Sequence, residues 1–338
     1  MYPTARAAGT ALRPPGVGWH HDILMTTSAA VVHSHRYRCD IGRHVFPVAK
    51  YALVRERLVA AGDIADGDVL EPLPAPRADL ELVHTPAYLD DLEELRWTPR
   101  TMPSELPLAR DIVEAYVLAA GGTTLAAREA LRRGAGVHLG GGFHHAFADR
   151  AEGFCYVNDL AVAIRALRRD GLVGRAAVID LDVHQGNGTA RLFADDPHTF
   201  TLSLHQESNY PGIKERSDLD VGLPNGIDDR GYLEALAPAL ERVWAFAPEI
   251  VLYQAGADPY ADDQLGGLAL SIAGLAERDR RVIDGAASRG VPVVVTLGGG
   301  YARSVEDTVR IHVATCRLAI ERARAGAWAP RAAANGGA

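Results

Sequence analysis

The sequence is short of lysine, cysteine and aromatic residues, and each shortage narrows what the chain can be. Lys50 and Lys214 are its only lysines, so nearly all of its positive charge is arginine, and the formal net charge is −8. Phosphate contacts need clustered cations, so this acidic balance argues against direct nucleic-acid binding. The three cysteines, Cys39, Cys155 and Cys316, lie far apart and lack paired zinc-ligand spacing. They speak against a disulfide framework and fit a reducing, cytoplasmic compartment. No apolar run approaches the roughly 20 residues a membrane-spanning helix needs. The N-terminus has no basic region followed by an apolar stretch, so no secretory signal is expected. Aromatics make up only 7% of the chain, while glycine and alanine are abundant. That bias suits closely packed strands and helices.

What is present is enough apolar material, 48% of 338 residues, for one large core. Residues 1–27 contain Pro14-Pro15 and Gly16 to Gly18 without any period and read as a flexible arm. Residues 28–325 read as one domain. Residues 326–338 are Ala/Gly-rich and are expected to fray. Between the ends, short β-branched runs alternate with longer Ala/Leu/Arg segments of helical period. The pattern predicts strands over 135–139, 175–181, 199–204, 250–254 and 291–297. It predicts helices over 108–131, 159–169, 231–245, 271–289 and 304–325. Such alternation implies an α/β fold, a parallel sheet covered on both faces. Ligands of such sheets bind at the carboxyl ends of the strands.

Those ends carry the chemically capable residues. Gly140-Gly141-Gly142-Phe143-His144-His145 follows one predicted strand and Asp180-Leu181-Asp182-Val183-His184 another. Ser203-Leu204-His205, Ala255-Gly256-Ala257-Asp258 and Gly298-Gly299-Gly300-Tyr301 follow three more. Asp180, Asp182 and His184 are spaced by two, so an extended chain places them on one face. Burying two carboxylates without a cation is costly, which points to a metal. Asp258 alone reads equally well as a helix cap, but at a neighbouring strand end it supplies a third ligand. Asp, His and Asp leave a tetrahedral ion one open position, the pattern of a catalytic site. His144 and His145 after a glycine run suit acid–base work better than a core, where each would need a partner. Tyr301 on a glycine loop is placed to stabilise an oxyanion. No Lys-Ser or Lys-Thr pair follows that loop, which excludes a P-loop.

Taken together, Gly141–Ala146, Gly153-Phe154-Cys155-Tyr156-Val157-Asn158-Asp159, Asp180–Thr189, Gly256-Ala257-Asp258 and Gly298–Tyr301 resemble the histone deacetylase superfamily, in family order over residues 28–325. Phe46-Pro47, Lys50-Tyr51, Arg55-Glu56-Arg57-Leu58, Val83-His84-Thr85-Pro86, Gly121-Gly122-Thr123 and Val305-Glu306-Asp307-Thr308 look like its class IV-like bacterial branch. The resemblance implies a single-domain arginase–deacetylase fold with about eight strands in a mainly parallel sheet. It implies a zinc-dependent amidohydrolase acting on acyl-lysine in proteins or peptides, for acetyl or longer acyl groups. Asp182, His184 and Asp258 would hold Zn²⁺, with Fe²⁺ as the alternative ion because mixed O/N ligands do not decide between them. His145 would be the general base and then the acid, His144 its electrostatic partner ordered by Asp180, and Tyr301 the oxyanion donor. Asn187 would orient His145; many class I members carry Asp there, and a neutral partner stabilises imidazolium less. Gly153, Phe154 and Tyr210 would line an acyl-lysine tunnel. A structural K⁺ would use the Asp180 and Ser203 side chains with main-chain oxygens of Asp182, His184 and Leu204. A second K⁺ would sit near Phe193, Asp196 and Thr199.

Three other readings compete. An arginase-like hydrolase wants a second metal and further Asp ligands, but Gln185-Gly186-Asn187 follows His184. A non-catalytic acyl-lysine or partner-binding member would be expected to lack a ligand or Tyr301, and here all are intact. A deacetylase of acetylpolyamines or other small amides keeps the mechanism, but no acidic cluster at the tunnel mouth is evident in the sequence. The Pro-rich stretch from Trp97 to Pro107 is placed to shape that mouth. Oligomeric state is open at this level.

Overall fold

The computed structural model describes residues 29–328. The arm over 1–27 lies outside them. Eight strands form one sheet: β1 Ala30–Val32, β2 Val69–Leu70, β3 Ala135–His138, β4 Ala176–Asp180, β5 Thr199–Gln206, β6 Leu219–Leu223, β7 Ile250–Gln254 and β8 Val293–Thr296. Their order is β2-β1-β3-β8-β7-β4-β5-β6, and every pairing is parallel. All residues of β3, β4, β7 and β8 are buried, so both faces of the sheet centre are covered. The edges differ. β2 has two residues, and β6 alternates half-buried and exposed positions, as strands open to water on one side do.

The helices are α1 Lys50–Ala60, α2 Arg77–Leu80, α3 Pro86–Glu93, α4 Arg110–Arg133, α5 Asp159–Arg169, α6 Asn187–Phe193, α7 Asp229–Ala245, α8 Ile272–Ser288 and α9 Val305–Arg324. Three start on side-chain caps: Asn158 accepts from the Ala161 amide, Asp228 from Gly231 and Ser271 from Gly274. α4 packs on α5, β1 and β3, and α9 packs on α1, α8 and β3. α4 comes close to β3 at Gly136, where an added Cβ would lie 2.2 Å from the Ala126 carbonyl oxygen of α4. α4 stops at Gly134, whose φ of 87° is open to glycine at little cost.

Two readings change. The strand carrying Asp180 ends there, so Asp182 and His184 sit in the loop beyond it and not on one extended face. The tail expected to fray begins with a packed segment: Trp328 is buried, and its indole N–H donates to the Val291 carbonyl at 2.7 Å.

Candidate active site

Parallel pairing lines up the carboxyl ends of β3, β8, β7, β4 and β5, and the loops leaving them converge. Asp182, His184 and Asp258 each bring one ligand atom within 4.8 Å of the others, and all three are buried. His184 Nδ1 lies 3.0 Å from Asp182 Oδ1 and 3.4 Å from Asp258 Oδ2. Main-chain amides fix the carboxylates: Val183 N–H donates to Asp258 Oδ1 at 2.9 Å, and Gly299 N–H to Asp182 Oδ2 at 2.9 Å. Burial, then the neighbouring Asp182 charge, pushes the Asp258 carboxyl up, and its Oδ2 has no hydrogen-bond partner among the described residues. Two adjacent buried carboxylates with one orphaned oxygen and one imidazole are a donor set that a divalent cation fits.

The tandem histidines lie in different electrostatic settings. His144 Nδ1 is 2.6 Å from Asp180 Oδ2. Burial opposes its charge, but Asp180 and Asp182 outweigh burial and hold it up to about 9, a setting that favours the imidazolium. His145 is pushed well below the usual imidazole range by burial and then by neighbouring His144. It is therefore neutral, and its Nδ1 is 2.7 Å from Asn187 Oδ1. Two adjacent residues of one type are thus shifted in opposite directions, which separates an electrostatic role from a proton-transfer role.

A pocket opens above them. Glu105, His145, Gly153, Phe154, His184, Asn209, Tyr210, Leu265 and Tyr301 line it. All three predicted wall residues, Gly153, Phe154 and Tyr210, are among them. An added Cβ on Gly153 would come within 2.6 Å of His145 Cδ2 and 3.0 Å of Tyr210 Cε1, and its φ is 48°. Only glycine fits there without displacing the histidine. The Pro-rich stretch does reach the mouth: the Pro103 and Ser104 carbonyls accept from the Gly153 and Phe154 amides at 3.1 and 2.9 Å. Tyr301 is anchored through its main chain, its N–H donating to Asp263 Oδ2 at 2.6 Å and its carbonyl accepting from Gln264 Nε2 at 2.8 Å.

Several contributors were given no role by the sequence. Gln254 ends β7 and donates to Asp182 Oδ2 at 2.8 Å. An amide closing an apolar strand beside the ligand edge was its only sequence signal. The Asp159 carboxylate accepts from the Gly142 and Phe143 amides at 3.0 and 2.7 Å, and so holds the loop before the tandem histidines. Fully buried Lys50 donates to the Gly298 and Gly299 carbonyls at 2.6 and 3.1 Å, and burial pulls it down to about 8. Glu105 lines the mouth, and Glu152 stands 3.3 Å from the Tyr210 hydroxyl. Glu105 is thus the one acidic residue lining this pocket among the described residues.

The potassium residues are placed unevenly. Asp180 and Ser203 are register partners on β4 and β5, and Asp180 Oδ1 also accepts from the Asp182 amide at 3.2 Å. At the second position the Arg168 guanidinium meets Asp196 and, at 2.8 Å, the Thr199 hydroxyl.

Comparison with known proteins agrees with this geometry. The histone deacetylase domain model matches residues 44–316.

The chain belongs to the histone deacetylase family.

It is 44% identical over 271 residues to an uncharacterized protein of Picosynechococcus, covering 80% of this chain and 90% of that one. It is 35% identical over 273 residues to histone deacetylase 2 of Arabidopsis thaliana, covering 77% and 70%. The crystal structure of a histone deacetylase homolog complexed with SAHA superposes with a TM-score of 0.73 at 27% identity, over 89% of this chain and 88% of that one. The single eight-stranded parallel sheet is the arginase–deacetylase fold of these deacetylase structures. The chain is thus a deacetylase-family hydrolase with a buried triad suited to a metal.

Proposed function

We propose that this deacetylase removes acetyl or longer acyl groups from the ε-amine of lysine in proteins or peptides, with Zn²⁺, or alternatively Fe²⁺, held by Asp182, His184 and Asp258. The observation that carries it is convergence: His184 of the buried triad, His145 and Tyr301 line one pocket together with Phe154 and Tyr210. A divalent ion at the triad supplies Lewis acidity, acidifying water and polarising a carbonyl. The chain does the rest. The pocket wall receives a straight apolar stem and excludes water around it. His145 Nε2 takes the proton of the attacking water and then delivers it to the departing amine nitrogen. His144 stays protonated against Asp180 and stabilises negative charge without exchanging a proton. The Tyr301 phenol, kept protonated by burial and the nearby Asp258 and Asp182, donates to the carbonyl oxygen as charge builds on it. The K⁺ reading on Asp180, Ser203 and Leu204, the class IV-like assignment and a cytoplasmic setting belong to the same proposal. The free thiols Cys39, Cys155 and Cys316 are consistent with that setting.

A second reading, small acylated polyamines, draws support from Glu105 at the mouth, where a carboxylate would attract a cationic chain. Hydrolysis of acetyl- to myristoyl-lysine peptides beside acetylputrescine and acetylspermidine, by zinc-loaded, iron-loaded and chelated enzyme, separates the readings. Peptide turnover lost on chelation supports the first. Turnover of polyamines alone supports the second. No metal-dependent turnover of either class would overturn both.

A further inference from the structure

Beyond the proposed residues, we infer that Glu152 is a positioning residue that sets the working tautomer of His145 by fixing the amide of Asn187. The inference rests on the reading of His145 as the base. Asn187 Oδ1 lies 2.7 Å from His145 Nδ1, and Asn187 Nδ2 donates to Glu152 Oε1 at 2.6 Å. Asn187 is 2% exposed, so water does not compete for either end of its amide.

The logic is one of donors and acceptors. An amide presents a carbonyl at one end and an NH₂ at the other, and nothing in asparagine itself chooses which end faces a neighbour. With Oδ1 toward the imidazole, His145 carries its proton on Nδ1 and keeps a lone pair on Nε2, the nitrogen available to take a proton. With NH₂ toward the imidazole, Nδ1 must accept, Nε2 holds the proton, and the ring cannot act as a base. An ionised carboxylate only accepts. Glu152 therefore admits only the NH₂ end of Asn187, and the Oδ1 end is left for His145. The choice is made two side chains away from the reacting nitrogen.

The main chain holds this carboxylate in place. Glu152 and Cys155 form an antiparallel bridge, with mutual N–H to O distances of 3.1 and 2.9 Å, across a tip at Gly153 and Phe154 whose φ angles are 48° and 62°. The same turn presses on the His145 ring and walls the tunnel. Glu152 Oε1 also accepts from the Tyr210 hydroxyl at 3.3 Å, and Oε2 from Arg150 Nε at 3.3 Å. Both are longer than the bond to Asn187, and neither explains why a carboxylate is aimed at a buried amide.

The test uses the metal-loaded full chain. In Glu152→Gln the new amide offers NH₂ as well as oxygen, so Asn187 is free to turn. kcat should fall about 10–100-fold, the usual effect of removing an outer partner of an active-site group, while KM changes little. The ¹⁵N shifts of His145, assigned by its loss in His145→Ala, should move from a ring protonated at Nδ1 toward a mixture of tautomers. Asn187→Asp alone sets two carboxylates face to face and should be worse. In the double variant, Asn187→Asp with Glu152→Gln, the introduced amide donates its NH₂ to the introduced carboxylate, and activity should return to near wild type. A purely structural role of Glu152 would not be rescued in this way. Unchanged His145 shifts in Glu152→Gln, or no rescue by the double variant, would overturn the inference. Shifted tautomer with unchanged kcat would sustain the positioning and sink the reading of His145 as the base.

Discussion

Replacing Tyr301 by phenylalanine removes one oxygen and leaves everything that holds the residue in place. Its N–H still donates to Asp263, its carbonyl still accepts from Gln264, and its ring still lies 6.0 Å from that of Phe46. Folding and metal content should therefore match wild type. The lost hydroxyl is the one donor proposed for the carbonyl oxygen as charge develops. Removing such a donor costs about 2.7–4 kcal/mol, or about 10²–10³ in kcat. Tyr301 is only 6% exposed, and the pocket is walled by Phe154 and Tyr210, so screening is weak and the upper end of that range is expected. KM should change little, because the interaction strengthens only as the oxyanion forms. The assay is steady-state hydrolysis of the best peptide from the acyl panel, with metal content and thermal midpoint measured on the same preparation. A kcat within about threefold of wild type, less than about 1 kcal/mol, would refute the oxyanion role.

Gly299→Ala should empty the triad, because the new Cβ would lie 2.0 Å from Asp258 Oδ2 and 2.6 Å from Asp182 Oδ2; stoichiometric metal by mass spectrometry would contradict this. Asp159→Ala should destabilise the fold by about 3 kcal/mol or more, since it leaves the Gly142 and Phe143 amides buried without an acceptor; urea unfolding reads the loss. Stability should also fall below about pH 6.5, the ordinary imidazole value. Burial pushes His138 down to about 3, and His33 and His84 to about 4, so the unfolded chain binds protons there that the folded chain refuses. The contribution is intact above about pH 6.5 and declines toward pH 4, at about 1.4 kcal/mol per pH unit for each proton taken up on unfolding. His138→Asn should reduce that slope by about one proton, and an unchanged slope would count against its neutral burial.

The sequence carried the site further than it carried the architecture. β7 and α5 fall on the predicted residues, 250–254 and 159–169, because their apolar runs are bounded by strong breakers and caps. β1, β2 and β6 escaped notice. Two are three residues or fewer, and β6 interrupts its apolar positions with Asp220 and Gly222. The residues Asp182, His184 and Asp258 could be brought together on paper because parallel strands expose their carboxyl ends on one edge. The departure of the chain from the sheet at Asp180 could not, since it depends on that carboxylate pairing with His144, 36 positions away. Glu152 was invisible for a similar reason, and so were the roles of Asp159 and Lys50, although both stand in stretches that carry the resemblance. Each acts on a backbone or amide group that only the folded chain supplies.

The sheet order has a consequence for truncation of this enzyme. β8 is last in sequence but lies between β3 and β7. Without β8 the sheet would be two blocks, β2-β1-β3 and β7-β4-β5-β6, each with an unpaired edge. Val293–Thr296 joins them, bonding Ala135–His138 on one side and Val251–Gln254 on the other. Gly299, which pins Asp182, and Tyr301 follow within five residues of that strand. Sheet continuity and the completed site therefore depend on the same short stretch, so a chain cut short before residue 293 should have neither.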